Sequence, residues 1–422
     1  MFRYIQALIL IFLLAGCFVK QPIDEQIGKK SFENEDYLIL TALEQQSRGN
    51  YKNSIEIYKL LYKKSEKINY LIEATTLSFL SEGIEETEKL LYKAISEAPD
   101  SSKLKRIEIG FLIKQEKNIE AKEKILDLVN KDKSVINLKI AGSIYLQSKS
   151  YELALKYYES AYAIDNDENS LLNIVDIQYN YLDNKDDAIA LLETHIRMHN
   201  CEIDSCFKLI EIYGKETNIN GVISTYKKLY YRYRNDEYAK KVVELLVYIK
   251  DKKGAIKFLD KSGYDQELLL DIYISSQDFQ SAYMVAKRLY EKTSKIDYLG
   301  RMAIYEYESN KDSLNDEILE SVLKKFEKVA SKIHDPLYFN YYGYILIDHD
   351  INAKKGVGLI KEALLKEPNS PYYLDSLAWG YYKLGRCKEA KVIMDKLIKV
   401  NKEEELMNHL IEINKCVKRG KK

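Results

Sequence analysis

Apolar residues in this chain recur three and four positions apart over most of its length, the spacing that lines one face of a helix. The stretch Ile136–Glu168, INLKIAGSIYLQSKSYELALKYYESAYAIDNDE, shows the unit most fully. Leu138, Ala141, Gly142 and Tyr145 share one helical face, and Tyr151, Ala154, Tyr158 and Ala161 share another. Ser148-Lys149-Ser150 is the turn between them. Gly142 and Ala154 are small where two antiparallel helices would cross, so the pattern predicts a helical hairpin whose approach a larger side chain would block.

One hairpin cannot bury its own apolar face, and the pattern repeats. Tyr145, Tyr179 and Tyr213 stand 34 residues apart. The small residue of the second helix recurs as Ser54, Thr87, Ala121, Ala154, Ala188, Val222, Ala255, Ala282, Gly356 and Ala390. From Ala121 to Ala282 its steps are 33, 34, 34, 33 and 27. This period and order of large and small residues resembles the tetratricopeptide repeat from about Glu35 to Lys402. The resemblance implies an all-α fold, a tetratricopeptide-repeat superhelical solenoid of helical hairpins.

The repeats suggest an N-terminal array over 35–294, a degenerate repeat over 295–335, a C-terminal repeat pair over 336–402, and a capping helix with a basic tail over 403–422. The short step between Ala255 and Ala282 predicts a trimmed hairpin around Val243, Leu246 and Leu259. In the degenerate repeat, helices are expected over Leu299–Tyr307 and Ile318–Val329. The polar turn Ser309–Asp316 between them is the candidate division into two lobes. Leu406, Leu410, Ile411 and Ile413 give the last helix an apolar stripe that suits a cap on the open end of an array.

Charge and composition narrow the function. Lys+Arg 65 balances Asp+Glu 65, so no net field draws the chain to nucleic acid. The five prolines all fall at expected helix boundaries or linkers. The repeats leave no room for a catalytic domain, and no phosphate loop, paired metal motif or nucleophile elbow is present. The expectation is a binding protein without catalysis, cofactor or small-molecule substrate, acting through protein partners.

Met1–Cys17, MFRYIQALILIFLLAGC, places Arg3 before an apolar run from Ile5 to Ala15 that is too short to span a bilayer. The ending Leu14-Ala15-Gly16-Cys17 resembles the bacterial lipobox. That resemblance implies a lipoprotein signal peptide over 1–16, with cleavage before a Cys17 whose sulfur carries diacylglycerol. Residues 17–34 then form the lipidated N-terminus and tether, which spans on the order of 20 to 25 Å if flexible. Phe18, rather than aspartate, follows the cysteine and favours the outer membrane. The expected location is the bacterial cell envelope, on the periplasmic face of that membrane.

His195, His199, Cys201 and Cys206 are the one cluster with metal-ligand character, and a zinc site is conceivable from their spacing. Export favours a local Cys201–Cys206 disulfide, and free thiols remain the third reading. Cys387 and Cys416 could likewise pin the capping helix to the last repeat. Some tetratricopeptide arrays clamp a terminal carboxylate with a lysine and an asparagine one turn apart. Here Lys139 is followed one turn later by Ser143, which argues against such a clamp.

The C-terminal segment is the most distinctive. NYYGYILIDHD begins at Asn340, and GLIKEALLKEPNSPYYLDSLAWGYYKLGRCKEA runs from Gly358 to Ala390. Asn340, Gly343, Tyr344, Leu346, Asp348, Leu374, Asp375, Ser376, Trp379, Tyr382 and Gly385 match N-x-x-G-Y-x-L-x-D and L-D-S-x-x-W-x-x-Y-x-x-G. This resembles the end of proteobacterial outer-membrane tetratricopeptide lipoproteins. A member of that family is an adaptor that holds a carboxyl-terminal processing protease and delivers cell-wall hydrolases to it. The resemblance implies a lipid-anchored scaffold or adaptor that recruits an envelope protease or peptidoglycan enzyme, with Asn340, Tyr344, Asp375, Trp379 and Tyr382 on the candidate partner groove. The alternative is a structural or assembly component of a secretion, pilus or outer-membrane biogenesis complex.

Overall fold

The computed structural model describes residues 30–81, 83–399 and 404–419, and the lipobox residues Leu14, Ala15, Gly16 and Cys17 lie outside them. Among the described residues there are 23 α-helices, one short 3-10 helix and no strand. The chain divides between Tyr238 and Ala239 into two compact units.

The first unit holds hairpins built from α1 (Glu35–Ser47), α2 (Tyr51–Ser65), α3 (Ile68–Leu80), α4 (Ile84–Glu97), α5 (Ser102–Lys114) and α6 (Asn118–Lys131). It continues with α7 (Val135–Gln147), α8 (Tyr151–Asp165), α9 (Glu168–Asn180), α10 (Lys185–Met198), α11 (Ile203–Lys215) and α12 (Ile219–Tyr233). The unit boundary falls in the first turn of α13 (Asp236–Tyr248). The second unit then runs through α14 (Lys252–Ser262), α15 (Gln266–Ser275), α16 (Phe279–Thr293), α17 (Ile296–Ser309) and α18 (Asp316–Ala330). It ends with α19 (Pro336–Asp348), α20 (Ala353–Lys366), α21 (Pro371–Lys383), α22 (Cys387–Leu397) and α23 (Glu404–Arg419).

The small-residue ladder is the seam of the hairpins. Ser54, Ala121, Ala154, Ala188, Ala282 and Ala390 are fully buried. Where the ladder turns polar, the hydroxyl is satisfied. Ser54 Oγ donates to the Ala42 carbonyl at 2.8 Å, and Thr87 bonds Ser78 at 2.9 Å. In the reference hairpin the close partner of Gly142 is Tyr158 rather than Ala154. A Cβ on Gly142 would lie 2.8 Å from the Tyr158 ring, which is buried and bonded to Ser143. The glycine therefore makes room for a tyrosine, not for a second small residue.

The turns repeat as regularly as the core. Within successive hairpins, one turn residue takes a left-handed backbone: Gly49, Glu116, Lys149, Asp183, Thr217, Lys250, Gln277, Asp350 and Gly385. Only two of these nine are glycine, so most hairpins accept the steric cost of a Cβ there. Asn218, Asp251, Asp278 and Asn352 each accept a hydrogen bond from an amide in the first turn of the following helix.

The hairpin around Val243, Leu246 and Leu259 is α13 and α14; its first helix has 13 residues, and the shortening falls in its second helix, with 11, and in the next helix, α15, with 10. The expected lobe division at Ser309–Asp316 falls inside the second unit. That turn carries the 3-10 helix Lys311–Ser313. The helices on either side are stitched together, because Glu306 accepts hydrogen bonds from Ser321 at 3.0 Å and Lys325 at 2.7 Å. In the capping helix α23, Leu406, Leu410 and Ile413 join the core of Tyr381, Ala390 and Met394. Ile411, expected on the same stripe, is instead 48% exposed, because it lies one residue past Leu410 and so about 100° round the helix.

Candidate functional site

Helices α17, α19 and α21 each open a hairpin of the second unit, and a polar network fixes the start of the first two. Arg301 donates to Asp297 at 2.9 Å and to Glu267 at 3.1 Å, and Tyr338 donates to Asp297 at 2.6 Å. Burial pushes the Tyr338 phenol far up, and its bond to Asp297 adds to the shift. For Tyr298, the hydrogen bond it donates to Glu267 comes first, with burial second, and together they raise the phenol to about 12. Both phenols therefore stay protonated as donors across the physiological range.

Past this network the three helices line a cleft of about 420 Å³. Asn340 and Tyr344 enter it from α19, one turn apart, and Asp375 enters from α21. Tyr307, Tyr341 and Tyr372 supply aromatic wall, while Glu308, Glu367 and Lys311 supply charge. Tyr373, also in the wall, has its phenol pushed up by burial and by the nearby carboxylates of Glu367 and Asp335. Asn340 Oδ1 is buried and has no hydrogen-bond partner among the described residues. An unpaired buried acceptor of this kind costs free energy until something donates to it.

The structure thus divides the five groove residues inferred from sequence. Asn340, Tyr344 and Asp375 share the cleft, whereas Trp379 and Tyr382 do not line it. Trp379 lies within stacking distance of Tyr382 at 4.7 Å and of His409 at 4.2 Å, and its indole donates to Asp348 at 2.9 Å. His409, from the capping helix, also sits 3.0 Å from the Asp375 carboxylate. Trp379 is therefore held as part of the junction between α21 and α23, and Asp375 is shared between cleft and cap.

Tyr307, Glu308 and Lys311 are cleft residues that the motif match did not reach, since they belong to the degenerate repeat. A signal for one of them existed: Tyr307, Tyr341 and Asp375 follow one another at the repeat spacing of 34 residues.

In the first unit, Cys201 and Cys206 are placed as a disulfide, with Cα atoms 5.6 Å apart. His195 is buried, bonds Tyr162 at 2.8 Å through Nδ1 and stacks on His199 at 4.4 Å. Those sulfurs and that imidazole nitrogen are already engaged, and the four residues do not converge as ligands. Lys139 pairs with Asp167 at 2.8 Å, and Ser143 bonds Tyr158 at 2.7 Å. Neither is left to clamp a carboxylate.

No protein-family model matches this sequence, and no curated protein does. Among solved structures, the chain is similar to one from the Naa15/Naa10 complex bound to HypK-THB. That match has 11% identity and a TM-score of 0.35, and covers 81% of this chain and 64% of the other, so it spans less than two thirds of that protein. It is similar to a chain of the APC/C hetero-tetramer Cut9–Hcn1, at 10% identity and TM-score 0.41, over 91% of this chain and 97% of the other. It is also similar to PilF of Pseudomonas aeruginosa, at 16% identity and TM-score 0.39, over 51% of this chain and all of the other. Likeness at this distance is a likeness of fold. The hairpins, their seam and their 34-residue period make the chain an all-α tetratricopeptide-repeat protein.

Proposed function

We propose that the chain is a scaffold that binds a protein partner in the cleft between α17, α19 and α21. The supporting observation is the convergence of Asn340, Tyr344 and Asp375, from the first helices of successive hairpins, on a cleft walled by tyrosines. Aromatic faces give contact area at small entropic cost, and an amide donor from a bound segment would satisfy Asn340 Oδ1 after a small rotation of its side chain. The lipobox resemblance extends the reading to a lipoprotein anchored through Cys17 in the bacterial envelope. The C-terminal resemblance extends it to an adaptor for a periplasmic protease or peptidoglycan enzyme.

Two experiments test these parts separately. Cys17→Ser is expected to release the protein from the membrane fraction and to block signal-peptide processing; unchanged retention and processing would remove the anchor. In-cell crosslinking followed by mass spectrometry tests the adaptor, with Tyr344→Ala and Asn340→Ala as the discriminating variants. Capture of a processing protease or wall hydrolase, lost in both variants, is the expected result. Capture of a secretion, pilus or outer-membrane assembly complex, indifferent to both, would replace the adaptor with a machine component.

A further inference from the structure

We propose that Cys387 and Cys416 form a thiol-exchange site that locks and unlocks the capping helix. Cys387 is the first residue of α22 and Cys416 lies in the last turn of α23, with Cα atoms 5.8 Å apart. Both are half-buried, and both line an open surface cleft of about 310 Å³ with Arg386 and Lys388. The other pair differs in access, since Cys201 is 3% exposed and Cys206 is fully buried. Cys201 also borders an open cleft, of about 830 Å³, but so little of that pair is exposed that a thiolate from solvent reaches Cys387–Cys416 more readily than Cys201–Cys206.

The direction of exchange follows from the helix ends. A thiolate released at Cys387 sits at the amide end of α22, in a cleft with Lys388 and with Glu389, whose carboxylate Arg386 pairs; its Sγ lies 3.5 Å from the Gly385 carbonyl oxygen. A thiolate released at Cys416 would sit at the carbonyl end of α23. The incoming thiolate therefore attacks Cys416 Sγ, the S–S bond breaks, and Cys387 leaves with the electron pair and takes a proton. A second thiol of the reductant attacks the mixed disulfide at the sulfur it carries. Cys416 is thereby released as a thiol, and the reductant ends as its own disulfide. Two electrons and two protons pass from a dithiol, or from two monothiols, to the chain.

Opening this bond removes the covalent tie between α22 and the far end of α23. What remains is the apolar contact of Leu406, Leu410 and Ile413 and the contact of His409 with Asp375 and Trp379. Trp379 is the only tryptophan in the chain, so its emission reports on the cap directly.

The full chain is treated with glutathione over a concentration series, quenched with acid and mapped by differential alkylation, alongside Trp379 emission and hydrogen exchange. Cys387–Cys416 is expected to open at least about tenfold faster than Cys201–Cys206, with the first glutathione adduct on Cys416. Opening is expected to change Trp379 emission and to lower amide protection in 404–419 roughly 100-fold. The double variant Cys387→Ala, Cys416→Ala should reproduce that exchange pattern without reductant. Free thiols at Cys387 and Cys416 before treatment, equal opening of the two pairs, or opening that leaves the emission and α23 exchange unchanged would each overturn the proposal.

Discussion

Two glycines in one helix make opposite predictions. Gly356 and Gly358 both lie in α20, but only Gly356 faces α19. A Cβ at Gly356 would sit 2.5 Å from the Gly343 carbonyl oxygen and 2.6 Å from Ile347 Cγ1, and a Cβ at Gly343 would sit 2.8 Å from the Gly356 oxygen. The obstacle is backbone within a hydrogen-bonded helix, so α19 and α20 must separate as rigid bodies. Overpacking of this kind costs about 1–3 kcal/mol, and the better helix propensity of alanine returns about 1 kcal/mol. Gly356→Ala should therefore destabilise the second unit by up to about 2 kcal/mol. Nothing lies within 4 Å of a Cβ at Gly358, so Gly358→Ala should stabilise it by about 0.5–1 kcal/mol. Repeat arrays need not unfold in one step, so urea denaturation should be read together with hydrogen exchange of the 336–366 peptides. Equal effects from the two substitutions, or a stabilising Gly356→Ala, would refute the close approach of α19 and α20 through their glycines.

Three further outcomes follow from the first unit and the turns. Glu35 is 2% exposed and accepts hydrogen bonds from Lys67 at 2.7 Å, Tyr70 at 2.6 Å and Ser31 at 2.6 Å. Burial opposes its charge, but these bonds and the Lys67 ammonium outweigh burial and pull its pKa from 4.5 to about 2. The folded value is the lower one, so the carboxylate contributes no more than about 3 kcal/mol, present above pH ~4.5 and lost as pH falls toward 2. In acid titrations, the stability gap between the wild type and Glu35→Gln should close over that window; a gap independent of pH would contradict it. Thr217 is a β-branched residue at φ 54°, so Thr217→Gly should raise stability by about 1 kcal/mol in urea melts. Gly385→Ala, at φ 75°, should lower it by a similar ~1 kcal/mol.

The fold was legible because tetratricopeptide packing writes its period into residue size. Ser54, Ala121, Ala154 and Ala282 are small where the helices meet, and that requirement recurs, with Thr87 and Val222 as the larger members, down the ladder. The turn ladder was not legible, because Glu116, Lys149, Thr217 and Gln277 carry a backbone strain that no residue type announces. The cleft was half legible. Asn340, Tyr344 and Asp375 could be placed by register on one face, since register fixes direction along a helix. Trp379 has the same register as Tyr344, yet His409 covers it from the capping helix. A contact made by the end of the array cannot be inferred from the repeat itself.

The central claim is that the cleft between α17, α19 and α21 holds the partner, and site-resolved photocrosslinking in cells tests it most directly. A photoreactive residue is placed at Tyr344, at Tyr372, or at Tyr92 of the first unit, where Tyr372 and Tyr92 are both 64% exposed and so match in access. The account predicts the same partner protein joined at positions 344 and 372, lost with Asn340→Ala, and absent at position 92. A partner joined at position 92 but at neither cleft position would contradict it.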